Sequence, residues 1–190
     1  MSPIRKYSIC IITLVVISNC SFHSSQYELV KGLFTSNDIK RPQPNWITEW
    51  AALNIDIFAI NHEGQIFFAS YDDHLIQFKG NQVINVQGFF GDDAIVKIDL
   101  NDYRLRYTYN NKLIGEHKCY PWNDSSSLEA KIKIKEQICF DQQADYNYKN
   151  RIYTNTEDQI IALEFKIHPN YPSIKIQLKK YDQEIFNNYS

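Results

Sequence analysis

A single, mainly β domain, built as an antiparallel β-sandwich or a partly closed β-barrel with one short N-terminal helix, is what this sequence predicts. Three observations point to it. The chain holds 13 Tyr and 11 Phe against 6 Gly, 6 Pro and one Met in 190 residues, a bias toward side chains that suit a pleated, half-buried surface. Short apolar runs alternate with period two and are parted by two or three residues that include Gly, Asn or Asp, the pattern of successive hairpins. The alternation is one-sided in most runs, so the strands must pack their apolar faces together, as sandwiches and barrels do.

The N-terminus sets the compartment. Arg5 and Lys6 precede an apolar run, Ile9 to Ile17, broken only by Thr13, and Ser18-Asn19 then lead into Cys20. The run is far shorter than the roughly 20 residues of a spanning helix, and its order is that of an export signal. Ile17-Ser18-Asn19-Cys20 resembles the lipobox of bacterial lipoproteins, in which cleavage before the cysteine leaves a thiol that carries diacylglycerol, with palmitate among the acyl chains. The expected organisation is a signal peptide over 1–19, a lipid-anchored tether over 20–26 and one β-rich periplasmic domain over 27–190. An ordinary secretory signal with Cys20 incidental, or an uncleaved anchor, are the alternatives. No Ala-x-Ala-like site follows the apolar run to favour the first of them. All three place the body outside the cytoplasm.

Within the domain, Tyr27, Val30, Leu33 and Phe34 recur at helical spacing before Ser36-Asn37-Asp38, which predicts a helix over Ser25–Thr35. Pro42 and Pro44 end that pattern. Extended structure is expected from Trp46 to Ile60, with Trp50, Leu53, Ile55, Ile57 and Ala59 along it, until His62-Glu63-Gly64 turns the chain. Strands follow over Gln65–Tyr71, His74–Phe78 and Gln82–Phe89, joined by turns at Asp72-Asp73 and Lys79-Gly80-Asn81, which makes a meander. Further strands are read up to Asn101, with Val96, Ile98 and Leu100 inward, and over Tyr103–Tyr109. Tyr120-Pro121-Trp122-Asn123-Asp124 reads as a loop. In the strand from Leu128 to Phe140, the lysines of Ala130-Lys131-Ile132-Lys133-Ile134-Lys135 should face water and its isoleucines the core. Tyr146–Tyr153, Ile160–Ile167 and Ser173–Tyr181 complete nine to eleven strands.

Charge and cysteine content limit the function. Loss of Arg5 and Lys6 with the signal takes the 20 basic side chains to 18 against 22 acidic ones, so the formal charge moves from -2 to -4. A nucleic-acid binder would carry a basic surplus on one face, and none is expected here. Cys10 leaves with the signal and Cys20 carries lipid, so Cys119 and Cys139 remain as a pair, expected as a disulfide in an oxidising compartment. A metal site is the alternative. His117 lies close to Cys119, but Cys139 has no neighbouring His or Cys to complete a tetrahedral set. Neither metal nor cofactor is expected.

Catalytic patterns are thin. Asp72-Asp73-His74 could share a proton, but Asp at a hairpin turn is favoured for its own backbone hydrogen bonds. Gly91-Asp92-Asp93 lacks the spaced acids of a calcium loop. Trp46, Trp50, Tyr120 and Trp122 are candidate sugar-stacking aromatics, with Tyr120 and Trp122 in a loop where contacts with a glycan or protein partner would form. Core packing is the competing role for all four.

Two stretches carry a wider likeness. Asp73-His74-Leu75-Ile76-Gln77-Phe78-Lys79-Gly80-Asn81-Gln82-Val83-Ile84-Asn85-Val86-Gln87-Gly88-Phe89 is a strand, a Gly-containing turn and a second strand ending in Gly. Tyr153 to Asp158, Ile160 to Phe165 and Pro172-Ser173-Ile174-Lys175-Ile176 form a second hairpin and a closing strand. Together with the lipobox and the short helix, this order resembles the YjbF/GfcB-type lipoproteins associated with group 4 capsule and exopolysaccharide operons. Thr156-Glu157-Asp158 stands where that family has a Thr-Gly turn. The resemblance implies a non-enzymatic lipoprotein on the periplasmic face of the outer membrane, acting in polysaccharide secretion beside export proteins or the glycan. It supplies no catalytic residues. Ser21 after the lipidated cysteine is not the Asp that favours inner-membrane retention. A periplasmic module binding a lipid or other hydrophobic ligand in a hollow barrel is the alternative, and a glycan-modifying enzyme with two facing carboxylates is the third.

Overall fold

The computed structural model describes residues 43–91, 94–125 and 131–181. The export signal, Cys20, the tether and the helix expected over Ser25–Thr35 lie outside the described residues, as do Asp92 and Asp93.

Thirteen strands follow one another: β1 (Trp46–Trp50), β2 (Leu53–His62), β3 (Gln65–Ala69), β4 (Leu75–Lys79), β5 (Gln82–Gln87), β6 (Ile95–Asn101) and β7 (Arg104–Tyr109), then β8 (Lys112–Cys119), β9 (Asn123–Asp124), β10 (Lys133–Asp141), β11 (Tyr146–Thr154), β12 (Ile160–Phe165) and β13 (Ile174–Leu178). Every pairing is antiparallel. β1 to β8 form an unbroken meander, β10 to β13 form another, and two seams join them, β13 to β1 and β8 to β10. The sheet therefore closes on itself as a twelve-strand barrel, with the two-residue β9 hung on β10. Closure removes the exposed edges that an open sheet of this composition would present.

Local chemistry explains the turns. Glu63-Gly64 and Asn110-Asn111 have both central residues at positive φ, the two-residue geometry whose twist matches that of paired strands. Gly88, at φ +83, follows β5, and a Cβ there would stand 2.5 Å from the backbone oxygen of Asp73. Only glycine fits between the β3–β4 turn and the end of β5.

Where the expected strand boundaries fail, the reason is visible. The run from Trp46 to Ile60 is two strands, reversed at Ala51, which holds φ +51. An Ala-Ala pair carries none of the usual turn residues, so the hairpin has no local signature. Leu53 and Ala59, along the second of these strands, are exposed. In β10 the inward side chains are Gln137, Cys139 and Asp141, whereas Ile134 points outward into a small cluster with Tyr153, Ile161 and Ala162. Lys133 and Lys135 do face water.

The barrel is filled. Phe68, Phe78, Val83, Val86, Ile98, Leu105, Phe165, Ile174 and Ile176 belong to one buried cluster. Phe78 on β4 meets Phe165 on β12 edge to face at 5.8 Å, although these strands are not neighbours in the sheet. Opposite walls thus touch across the interior, as they would in a sandwich. At one end the segment after β12 folds inward: Tyr171 and His168 pack on Phe90, and Trp50 donates through its indole N–H to the Pro172 carbonyl. Gly115 on β8 lets Pro169 approach to a position a Cβ would have occupied.

Candidate functional site

Antiparallel pairing of Cys119 with Cys139 puts the residues two before and two after them on the same inner face. The two cysteines are bonded to each other. His117, only 2% exposed, directs Nε2 to Asp141 Oδ2 at 3.2 Å. Its Nδ1 lies 2.8 Å from the hydroxyl of Tyr148 on β11, which in turn lies 2.9 Å from the hydroxyl of Tyr107 on β7. The tautomer that satisfies this chain carries its proton on Nε2, donates to Asp141 and accepts from Tyr148. The Tyr107 hydroxyl also reaches the Lys166 carbonyl at 3.3 Å. Asp141 Oδ1 accepts from the backbone N–H groups of Gln143 and Ala144, which shapes the β10–β11 turn.

A second layer supports the first. Asn150 on β11 donates to Gln137 and accepts from the backbone N–H of Lys166. The buried Lys166 ammonium stands over the rings of Tyr146 and Tyr148, at 5.1 and 5.7 Å from their centroids. This polar network joins β7, β8, β10 and β11 beside the short β8–β10 seam.

The electrostatics suit holding a proton in place more than transferring one. Burial depresses the His117 pKa below its usual value, and the Lys166 charge adds to this while Asp141 opposes it. Burial also pushes both tyrosine hydroxyls well above the ordinary phenol range. A neutral imidazole held between the Tyr148 hydroxyl and the Asp141 carboxylate has both ring nitrogens bonded. A phenol made harder to ionise is a poor nucleophile.

Acid should loosen this barrel. Desolvation lowers the pKa values of His74, His117 and His168 alike. The unfolded chain therefore takes up protons first as pH falls below about 6.5, while the folded one resists. The stability these neutral histidines contribute is complete above that pH and is lost as pH falls toward their folded values. The melting temperature is expected to drop between pH 7.5 and 5.5, with net proton uptake on unfolding at pH 6. A flat profile across that range would contradict the assignment.

The residues singled out in the sequence are dispersed. His74 is tied to the Ser70 hydroxyl at 3.0 Å and its ring packs on Phe89, so Asp72-Asp73-His74 forms the β3–β4 turn. Trp46 and Trp50 are core side chains, the former edge to face with Phe68. Trp122 is half-buried and turns into the barrel, 6.0 Å from Phe165. Tyr120 stands out at 53% exposure beside it. At the same end, Tyr103 is 57% exposed, a residue the sequence had offered only as the start of a strand. A surface hollow of about 260 Å³ lies between Asp124, Lys133, Lys135, Thr154 and Asp158. Among the described residues no group of three His, Cys, Asp or Glu side chains converges to hold a metal ion.

No family model and no curated protein matches this chain. Among solved structures the chain is similar to the hypothetical lipoprotein YmcC of Escherichia coli (K12), with 6% sequence identity and a TM-score of 0.47, over 80% of this chain and 95% of that one.

Proposed function

We propose that this protein is a non-enzymatic, lipid-anchored lipoprotein of the outer membrane whose barrel faces the periplasm and serves as an accessory factor in capsule or exopolysaccharide secretion. The observation that carries the reading is the way the barrel divides its side chains. Apart from the polar network beside the β8–β10 seam, the interior is packed with apolar and aromatic groups, and the wall bears Arg104, Arg106 and Glu116 in one ionic cluster and Glu136, Lys149, Arg151 and Glu164 in another. A charged outer wall around a filled core is the reverse of a membrane-spanning barrel, which is apolar outside and polar within. Such a body works through its surface and needs a separate anchor, which the Ile17-Ser18-Asn19-Cys20 order supplies. The two stretches that resemble the YjbF/GfcB type, Asp73–Phe89 and Tyr153–Ile176, form the β4–β5 hairpin and the run from the end of β11 into β13. Opposite walls in contact leave little room for the alternative, a hydrophobic ligand held in the lumen.

The test is the amount of surface polysaccharide in the source bacterium with the gene deleted, restored, and restored as Cys20→Ser. Loss on deletion, rescued only by the form that can be lipidated, is expected. Cys20→Ser should also move the folded protein from the membrane to the soluble fraction. Unchanged polysaccharide would remove the secretion role, and continued membrane retention of Cys20→Ser would remove the lipid anchor.

A further inference from the structure

We infer that the barrel end formed by the β6–β7 turn and the segment after β8 is a saccharide-binding rim, with Tyr103 and Tyr120 stacking on the apolar faces of neutral sugar rings. The inference rests on the secretion reading above and names the ligand class that this surface would take.

Backbone conformation at Tyr103 is the leading observation. Asp102 and Tyr103 are the two central residues of the β6–β7 hairpin, with φ of +47 and +61. In the two other turns with this geometry the second position is Gly64 or Asn111, residue types that enter the left-handed region at little cost. A bulky aromatic there costs on the order of 1 kcal/mol. Burial does not offset that cost, because Tyr103 is more than half exposed. Strain retained at an exposed aromatic side chain points to a use outside the fold.

The partner aromatic is held close by. The backbone N–H of Cys119 donates to the Tyr103 carbonyl at 2.7 Å, and that of Tyr120 donates to the Ile138 carbonyl at 2.8 Å. The disulfide at Cys119 fixes the residue between them. Two exposed phenol rings are thus carried on a rigid base, which lowers the entropic cost of engaging a ligand.

Chemistry around the rings selects a sugar over a protein. The exposed side chains flanking them are Asn101, Asp102, Arg104, Lys118, Asn123 and Asp124, whereas the centre of a protein interface is depleted of charged groups. Amides and carboxylates match the hydroxyl edge of a saccharide, as the rings match its C–H face. The acids Asp102 and Asp124 are matched by the bases Arg104 and Lys118, so the rim has no net charge to draw a uronic acid, which favours neutral sugar residues as the ligand.

The experiment is affinity electrophoresis of the full-length protein, extracted in mild detergent, through gels cast with the neutral fraction of the source bacterium's extracellular polysaccharide. Competition by cellohexaose, a defined neutral oligosaccharide, accompanies it. Retardation of the wild type is expected. Tyr103→Gly and Tyr120→Ala should each weaken it about three- to tenfold, in keeping with the energy of a single aromatic contact. Tyr103→Gly relaxes the turn, so its melting temperature should equal or exceed that of the wild type and a folding defect cannot imitate lost binding. No retardation of the wild type, or retardation indifferent to both substitutions, overturns the inference. If deletion abolishes surface polysaccharide while retardation ignores the tyrosines, the rim fails and the secretion role stands. Tyrosine-dependent retardation with unchanged surface polysaccharide leaves the rim and removes the role.

Discussion

Replacing Cys119 and Cys139 together by alanine is expected to destabilise the barrel by about 3 kcal/mol, the chain-entropy value for a loop of this order, here a separation of 20 residues. For a domain of this size that corresponds to a fall in melting temperature of about 6 to 12 °C. The position of the bond argues for the upper part of that range. β8 and β10 share two paired positions, Cys119 with Cys139 and Lys118 with Phe140, whereas β10 and β11 share nine. The disulfide occupies one of the two pairs at the weakest point of the closed sheet. Calorimetry of the oxidised protein with and without reductant would measure the effect. Coincident melting curves would show that the seam holds without its covalent link.

Asp141→Ala should cost a similar amount, about 3 kcal/mol, through a different mechanism. The substitution removes the acceptor for the buried His117 Nε2–H and for two backbone N–H groups of the following turn. Bonds to a charged group contribute about 1.5–3 kcal/mol, and a buried donor left without an acceptor adds its own desolvation penalty. Asp141→Asn provides a graded comparison, since it keeps an acceptor for the turn but places either a second donor or a weaker acceptor against His117. Chemical denaturation should rank wild type above Asp141→Asn and that above Asp141→Ala. Equal midpoints for all three would mean that the network contributes little to stability.

Much of the architecture was legible from local chemistry. β3 to β5 are short apolar runs bounded by Glu63-Gly64, Asp72-Asp73 and Gly80-Asn81, so the meander could be read from its turns. Sandwich or barrel could not be decided, because closure depends on two seams between strands distant in sequence, β1 with β13 and β8 with β10. The expectation of a partly closed barrel was met by complete closure, and the contact of opposite walls explains why both descriptions suited the same pattern. In β10 the expected division held for Lys133, Lys135 and the buried Ile134 but not for the exposed Ile138, because the inner face from Gln137 to Asp141 is polar. The network of Tyr107, His117, Asp141 and Tyr148 was missed because each residue, taken alone, looks like a surface side chain of its strand. One signal could have found part of it. Once Cys119 is paired with Cys139 on antiparallel strands, His117 and Asp141 must face each other on the same side. Tyr103 offered no comparable signal, since its backbone angle is invisible in the sequence.

The seam between β1 and β13 has a consequence for the order in which the molecule can be completed. Trp46 pairs with Leu178, so the first strand of the barrel has one permanent neighbour within easy reach and must wait for the last strand to supply the other. A chain released N-terminus first holds β1 to β8 as an open ribbon, with Phe68 and Phe78 awaiting Phe165 and Ile176 from the far wall. Contacts so distant along the chain form slowly, and unpaired edges are vulnerable in the interval. A chain that stops short of Ile174 therefore lacks more than its final strand: it has no closed interior at all.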